Sequence, residues 1–306
     1  MDVMEKLKLI QQITRKSQEA LAHDLGVSFP TLNSWINGKS VPRLKAQALI
    51  DEVYQKLTGQ KVIPVHHLEA KKKIILDRRK KCKNVLSKIL SRKDVFDEYI
   101  LSLTYNSNRI EGNTLTEDET AAILFQNAAL SHKSMIEQLE AKNHETALRC
   151  VFNHIHRDGP LNEELLLRLH GMLLNGIRDD AGFYRRHSVR IVGAHVPTAN
   201  FIRVPQLMDA LMNEACRVSS DVISHVSEIH SRFEKIHPFS DGNGRIGRLL
   251  MHAMFLHEDF PPAVIKQERR REYILALNKA QTDEEFSLLE DFICDALLAS
   301  YDLISE

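Results

Sequence analysis

The sequence IHPFSDGNGRIGRLLMHAMFL, residues 236 to 256, sets a glycine-rich turn, Asp241-Gly242-Asn243-Gly244, directly before a helix that starts near Arg245 and runs through Leu249 and Met251 to Phe255. Glycines let the backbone approach an anion closely and aim successive N–H groups at it, and the helix start adds about half a positive charge. Arg245 and Arg248 stand three apart on one helical face, where two guanidinium groups can hold neighbouring phosphates bidentately. Asp241 precedes the turn and suits Mg²⁺, which takes one or two carboxylates together with phosphate oxygens. His237 lies four residues before Asp241, so its imidazole stands beside the same cradle with an unperturbed pKa of about 6.5, fit for a general base.

Away from this motif the chain is unremarkable in bulk. It has 306 residues, 43% hydrophobic and 27% charged, which suits a soluble catalytic domain with an accessory module. It holds no apolar run of the roughly 20 residues that would span a bilayer and no signal peptide at its start, so the expectation is a cytoplasmic protein with no membrane partner. Cys82, Cys150, Cys216 and Cys294 are too scattered for metal or redox pairs and read as reduced thiols. The formal net charge of zero hides a split: residues 1 to 93 hold 20 Lys/Arg against 8 Asp/Glu, and the remainder holds 21 against 33. The basic part is therefore suited to a polyanion or to the acidic part of the chain.

Residues 1 to 60 read as several short helices whose Leu21, Leu25, Val27, Leu32, Trp35 and Ile36 share a buried side. The string SQEALAHDLGVSFPTLNSWINGKSVPR resembles a helix-turn-helix of the Cro and phage-repressor type, with a helix through Ala20 to Asp24, a turn at Gly26 and a second helix capped by Ser28. That resemblance implies Ser28, Phe29, Thr31, Asn33 and Ser34 facing a DNA major groove, with Lys39, Arg43 and Lys45 near phosphates. A helical docking or dimerisation module accounts for the same spacing. Residues 61 to 95 read as a basic amphipathic connector helix, either simply solvated or tracking phosphates. From residue 96 onward the chain is helical except for VRIVGAHVPTANFIRV, 189 to 204, whose β-branched arms predict a hairpin.

The segment HPFSDGNGRIGR, residues 237 to 248, is identified with the Fic family signature His-x-Phe-x-Asp/Glu-Gly-Asn-Gly-Arg-x-x-Arg. The resemblance implies an all-α Fic-fold domain over 96 to 306 with a short β-hairpin flap, behind the small amino-terminal helix-turn-helix domain. It implies transfer of AMP from ATP to a Ser, Thr or Tyr hydroxyl of a target protein, with release of pyrophosphate. In that reaction His237 would deprotonate the hydroxyl and Phe239 would fix the loop. Asp241 would hold Mg²⁺, the backbone of Gly242, Asn243 and Gly244 would cradle the phosphates, and Arg245 and Arg248 would bind the triphosphate tail.

Upstream, Ser107-Asn108-Arg109-Ile110-Glu111-Gly112 resembles the inhibitory helix of many Fic proteins, which implies a Glu111 carboxylate paired with Arg248 and Ser107 one turn away on the same face. Glu111 alternatively orients a water for removal of AMP. The flap resembles one that adds the target's main chain as a strand. Arg271, Tyr273 and Asn278 resemble a stretch bordering adenine and ribose, although Tyr273 equally suits the core. His230 fits a hydrogen-bonded core position better than a ligand. The expected partners are ATP, a target protein that could be this chain itself, DNA through residues 1 to 93 and a second copy of the chain. The alternative reading is a DNA-binding transcriptional regulator whose Fic domain senses nucleotide.

Overall fold

A computed structural model describes residues 3–59, 62–190 and 196–305. The chain divides into two units, Met1–Lys73 and Ile74–Glu306. The first unit contains α1 (Val3–Thr14), α2 (Gln18–Asp24), α3 (Phe29–Ile36) and α4 (Leu44–Thr58) around Leu7, Ile10, Leu21, Leu32, Trp35 and Ile50. α2 and α3 are joined at Gly26, whose φ of +63° is a left-handed turn that glycine adopts at low cost. Ser17 and Ser28 cap these helices, their hydroxyls accepting from the N–H groups of Ala20 and Thr31.

The basic stretch is not one helix. α5 (Val65–Lys81) stops where Asn84 turns left-handed at φ +55°, α6 (Val85–Ser91) is short, and α7 begins at Lys93. The break is satisfied from far along the chain. The Asp259 carboxylate accepts from the N–H groups of Asn84 and Val85 at 3.1 and 2.8 Å, capping a helix start that has no local cap. Several of the basic side chains are also engaged: Arg78 pairs with Asp302 at 2.5 Å, and Arg79 lies over the Phe260 ring.

The second unit continues with α7 (Lys93–Ile110), α8 (Glu117–Gln126), α9 (Met135–His156), α10 (Glu163–Leu173), α11 (Val204–Ala215), α12 (Val222–Ile236), α13 (Asn243–His257), α14 (Arg270–Asp283) and α15 (Ser287–Ser305). α8 and α9 open with reciprocal capping boxes, Thr116 with Glu119 and Ser134 with Glu137. α13 is buried on all sides from Arg245 to Leu256, as a helix enclosed by neighbours must be, and packs on α12, α9, α10 and α7.

No strand forms among the described residues, so the expected hairpin over 189–204 is corrected where it can be seen; residues 191–195 lie outside the described residues. In its second arm the Asn200 side chain accepts from the N–H of Ile202 and starts a 3₁₀ turn, Phe201–Arg203. Val204 then opens α11 with Pro205 in its first turn. Capping and proline override the strand preference of Phe201, Ile202 and Val204, which is a context-dependent preference in any case.

Candidate active site

The end of α12, the loop that follows and the start of α13 bring the motif together. His237 caps α12 with φ +53°, a left-handed conformation uncommon for a residue with a side chain and sterically disfavoured before a proline. It is held there by Arg185, a buried side chain that collects carbonyls. Its Nε donates to His237 O at 2.7 Å, and its terminal nitrogens donate to Ile236 O, Ala199 O and His187 O. Its own N–H donates to Pro238 O. A cation on the last carbonyls of a helix is favoured by the helix dipole, and here it also fixes the turn that aims His237.

The tautomer of His237 follows from its neighbour. Nδ1 lies 3.2 Å from Glu234 O, and a carbonyl can only accept, so Nδ1 carries the proton and Nε2 keeps its lone pair. Burial holds the imidazole below its usual pKa, against the Glu234 carbonyl that favours the charged form, so the neutral base persists at neutral pH.

The loop closes on itself. The Asn243 side chain donates to Phe239 O and accepts from Phe239 N, both at 2.9 Å. Phe239 is fully buried and stacks on His170 with ring centres 3.8 Å apart. His170 accepts from the Gly182 N–H at Nδ1, which leaves Nε2 to donate to Asp241 O at 3.2 Å. Gly242 takes φ +76° at the N-cap of α13 and so exposes the amides of the helix start.

A cleft of about 470 Å³ opens over this loop, lined by His237, Asp241, Gly242, Asn243, Gly244, Arg248 and Glu111, with Tyr273 and Asn278 from α14. Arg248 is 2% exposed and fully engaged at one end: Nε donates to Ser107 Oγ, and one terminal nitrogen donates to Ser107 O and to Glu111 Oε1 at 2.7 Å. Burial works against its charge, but Glu111 and Tyr273 outweigh that and hold it above its ordinary value. A Cβ on Gly244 would fall 2.2 Å from Glu111 Oε1, so the Glu111 carboxylate lies directly on the backbone of the amide nest.

Other expected residues are placed differently. Arg245 is buried against Glu140 of α9, at 2.7 Å, and does not line the cleft; its role here is to tie α9 to α13. Arg271 is exposed, and its neighbour Arg270 lines the cleft instead, donating from Nε to Ile110 O. Tyr273 is both core and wall: it is 1% exposed and its hydroxyl lies 2.6 Å from His230 Nε2. His230 Nδ1 lies 3.2 Å from Gly247 O, so it carries the proton and Nε2 accepts from Tyr273; burial pushes the imidazole down to about 3, and it is neutral. Sequence reasoning missed Glu234 and Gln281 in the cleft and Glu140 behind it, and named Arg185 and Arg190 only within Gly182-Phe183-Tyr184-Arg185, which leads into the expected flap, and within that flap. Only their tertiary neighbours reveal them.

In the first unit, the polar candidates for DNA reading are engaged in local hydrogen bonds, while Phe29 is exposed. Ser28 Oγ lies 2.8 Å from Thr31 Oγ1, Asn33 Oδ1 accepts from Asn37, and Ser34 Oγ lies 2.7 Å from Ser40 Oγ. Lys39, Arg43 and Lys45 are exposed.

Asp241 is half-exposed at the cleft, with Oδ1 accepting from the Gly242 N–H at 2.6 Å. A single accessible carboxylate beside an amide nest fits Mg²⁺, which uses few protein ligands when phosphates supply the rest. No cluster of three or more His, Cys, Asp or Glu forms a metal site among the described residues.

Residues 160–255 match the Fic/DOC family, and the chain carries a Fic domain there. A protein adenylyltransferase Fic of Nematostella vectensis is 33% identical over 213 residues, 67% of this chain and 48% of the relative. The protein of the same name from Drosophila virilis is 27% identical over 78% of this chain and 50% of its own length. The chain thus spans about half the length of the curated relatives it matches. Among solved structures, a Fic domain containing signaling protein from Bacteroides thetaiotaomicron has a TM-score of 0.65 at 22% identity, over 77% of this chain and 98% of that one. Fic-1 (aa134–508) of C. elegans has a TM-score of 0.69 at 20% identity, over 94% and 84%. These two share the fold. No described helix is long and apolar enough to cross a membrane.

Proposed function

We propose that this Fic-domain chain is a protein adenylyltransferase held at low activity by its own Glu111. The observation that carries the reading is the Glu111 carboxylate lying on the amide nest at Gly244 while bonded to Arg248, where the distal phosphates of ATP would bind. A carboxylate bonded to a guanidinium and lying over a helix start is a stand-in for a phosphate.

With Glu111 displaced, ATP lies over the start of α13 with its α-phosphorus near His237. The hydroxyl oxygen of the target attacks that phosphorus in line, its proton passes to His237 Nε2, and pyrophosphate leaves. Arg248 and the amides of 242–244 hold the leaving phosphates, so most of the catalysis is positioning and charge stabilisation. Mg²⁺, held by Asp241, would neutralise phosphate charge when bound. The hydroxyl belongs to a Ser, Thr or Tyr of a protein, this chain included.

Incubation of the full chain with α-labelled ATP and a lysate tests the reading. Glu111→Gly is expected to raise protein labelling at least tenfold, and His237→Ala in that background to abolish it, the usual scale for loss of a general base being about 10²- to 10⁴-fold. No labelling by Glu111→Gly would overturn it. If Glu111 also orients a water for AMP removal, the same variant releases no AMP from a labelled target.

The separate proposal for residues 1 to 93 is duplex DNA binding. Its support is the basic excess with exposed Lys39, Arg43 and Lys45; with Ser28, Thr31 and Asn33 engaged in local bonds, contacts run to phosphates more than to bases. Affinity should then fall steeply with salt and depend little on sequence, as a titration of duplexes against the full chain would read.

A further inference from the structure

Glu234 stands one turn before His237 on α12, is 6% exposed, and lines the cleft, yet its Oε1 is buried without a hydrogen-bond partner. Space has been made for it: a Cβ on Gly247 of α13 would fall 2.4 Å from Oε1. We propose that Glu234 is a proton-bearing wall of the subsite for the distal phosphates, donating a hydrogen bond to the phosphate that takes the place of Glu111 on Arg248. This rests on the reading of the cleft as an ATP site and adds to it a residue that holds the nucleotide.

The argument is one of charge balance. The groups acting on the Glu234 carboxyl are Arg248 from α13, Glu111 from the end of α7 and Tyr273 from α14; His230 lies with it against Gly247, His237 meets its backbone carbonyl, and Arg190 and Arg270 line the same cleft. Arg248 is the cation acting on the carboxyl, and it is already bonded to Glu111; His230 is neutral, with both nitrogens assigned, and Tyr273 donates to it. With Glu111 already bonded to Arg248, the buried Glu234 carboxyl has no cation bonded to it, and it avoids an uncompensated charge by keeping its proton. Burial pushes Glu234 up to about 8, with Arg248 opposing and Glu111 adding to the rise.

Replacing Glu111 by a phosphate does not relieve this balance, because one anion replaces another on Arg248. An ionised Glu234 would repel either occupant, whereas a neutral carboxyl has an O–H to give and a phosphate has acceptors to receive it. Acceptor-only chemistry, such as metal binding or proton abstraction, would require the charged form that the site disfavours.

The test uses the full chain carrying Glu111→Gly, with ATP and AMP affinities measured by calorimetry in Mg²⁺ at pH 7 and pH 9. Glu234→Ala in that parent is expected to weaken ATP at least tenfold and AMP less than about twofold, the scale of one hydrogen bond to a charged group. Glu234→Gln keeps a donor of the same shape and cannot ionise, so it should retain the preference for ATP at both pH values, while the parent loses much of it at pH 9. The inference is overturned if Glu234→Ala leaves ATP affinity unchanged, if it weakens ATP and AMP equally, or if Glu234→Gln shows the same alkaline loss as the parent. AMP transfer is read separately: a parent that binds ATP but labels no protein sinks the transferase reading and leaves this one to be decided by affinity.

Discussion

His237 illustrates how a single residue's chemistry is set by its surroundings. Its proton sits on Nδ1 because a carbonyl lies opposite, and its pKa is held below the ordinary value by burial. On the proposed reading the base is the neutral imidazole, so a lowered pKa moves the acid limb of activity downward. The kcat of the Glu111→Gly chain should stay level through pH 6.5 and fall only at lower pH; a limb centred above about 6.5 would contradict the assignment. Arg185 acts through His237 and touches no substrate. Arg185→Ala leaves buried carbonyls unpaired and should lower kcat at least tenfold with little change in KM for ATP, and stability by about 2 to 4 kcal/mol in urea unfolding. His237 was legible because the motif around it is contiguous. Arg185 was named only as leading into the expected flap, and its role was not legible, since its carbonyl partners at Ile236 and His237 lie 51 and 52 residues away.

At the scale of elements, the site is the junction of α12 and α13 clamped to α7 and α9. Glu140 joins these: Oε1 holds Arg245, and Oε2 accepts from Asn113, just beyond Glu111. Glu140→Ala strands the 3%-exposed Arg245 side chain, and removal of one partner of a buried pair costs about 3 to 5 kcal/mol, readable as a shift in unfolding midpoint. It should also loosen the segment that carries Glu111 and raise basal labelling in whatever fraction stays folded. Element identity was legible where caps and periodicity agree, as at Ser28. It was misread over 196–204, where 196–200 form no strand and 201–204 fall into helical turns, and over 82–84, where a break is capped by Asp259.

The whole second unit is built around neutral buried histidines. His144, His170, His230 and His252 are each 2% exposed or less, and burial pushes all four down, to about 4 for His170 and about 3 for His230 and His252. Unfolded, each would take a proton near its ordinary value of about 6.5, so the unfolded state binds more protons throughout the window between. The contribution of these imidazoles is therefore fully present above pH 6.5 and falls as pH drops through 6 and 5, while Glu234, held up to about 8, opposes it with a smaller loss of stability as pH rises from about 4.5 to 8. With four such groups the slope approaches about 5 kcal/mol per pH unit. Thermal unfolding followed by circular dichroism should show the melting temperature collapsing between pH 6 and 4; a flat profile would mean these imidazoles are not buried neutral.

The Glu111–Arg248 pair, 137 residues apart, was implied by the family resemblance and is made by tertiary packing; the sequence by itself determined the glycine-rich turn, the helix start after it and the placing of His237 beside both. Those follow from glycines, a helix start and fixed short spacings, which act over a few residues whatever the rest of the chain does. Tertiary structure alone decided which arginine faces the cleft, which proton sits on which imidazole nitrogen, and that Glu234 is a wall of the site. Burial and the approach of groups far apart in the chain set those properties, and neither is a property of local spacing.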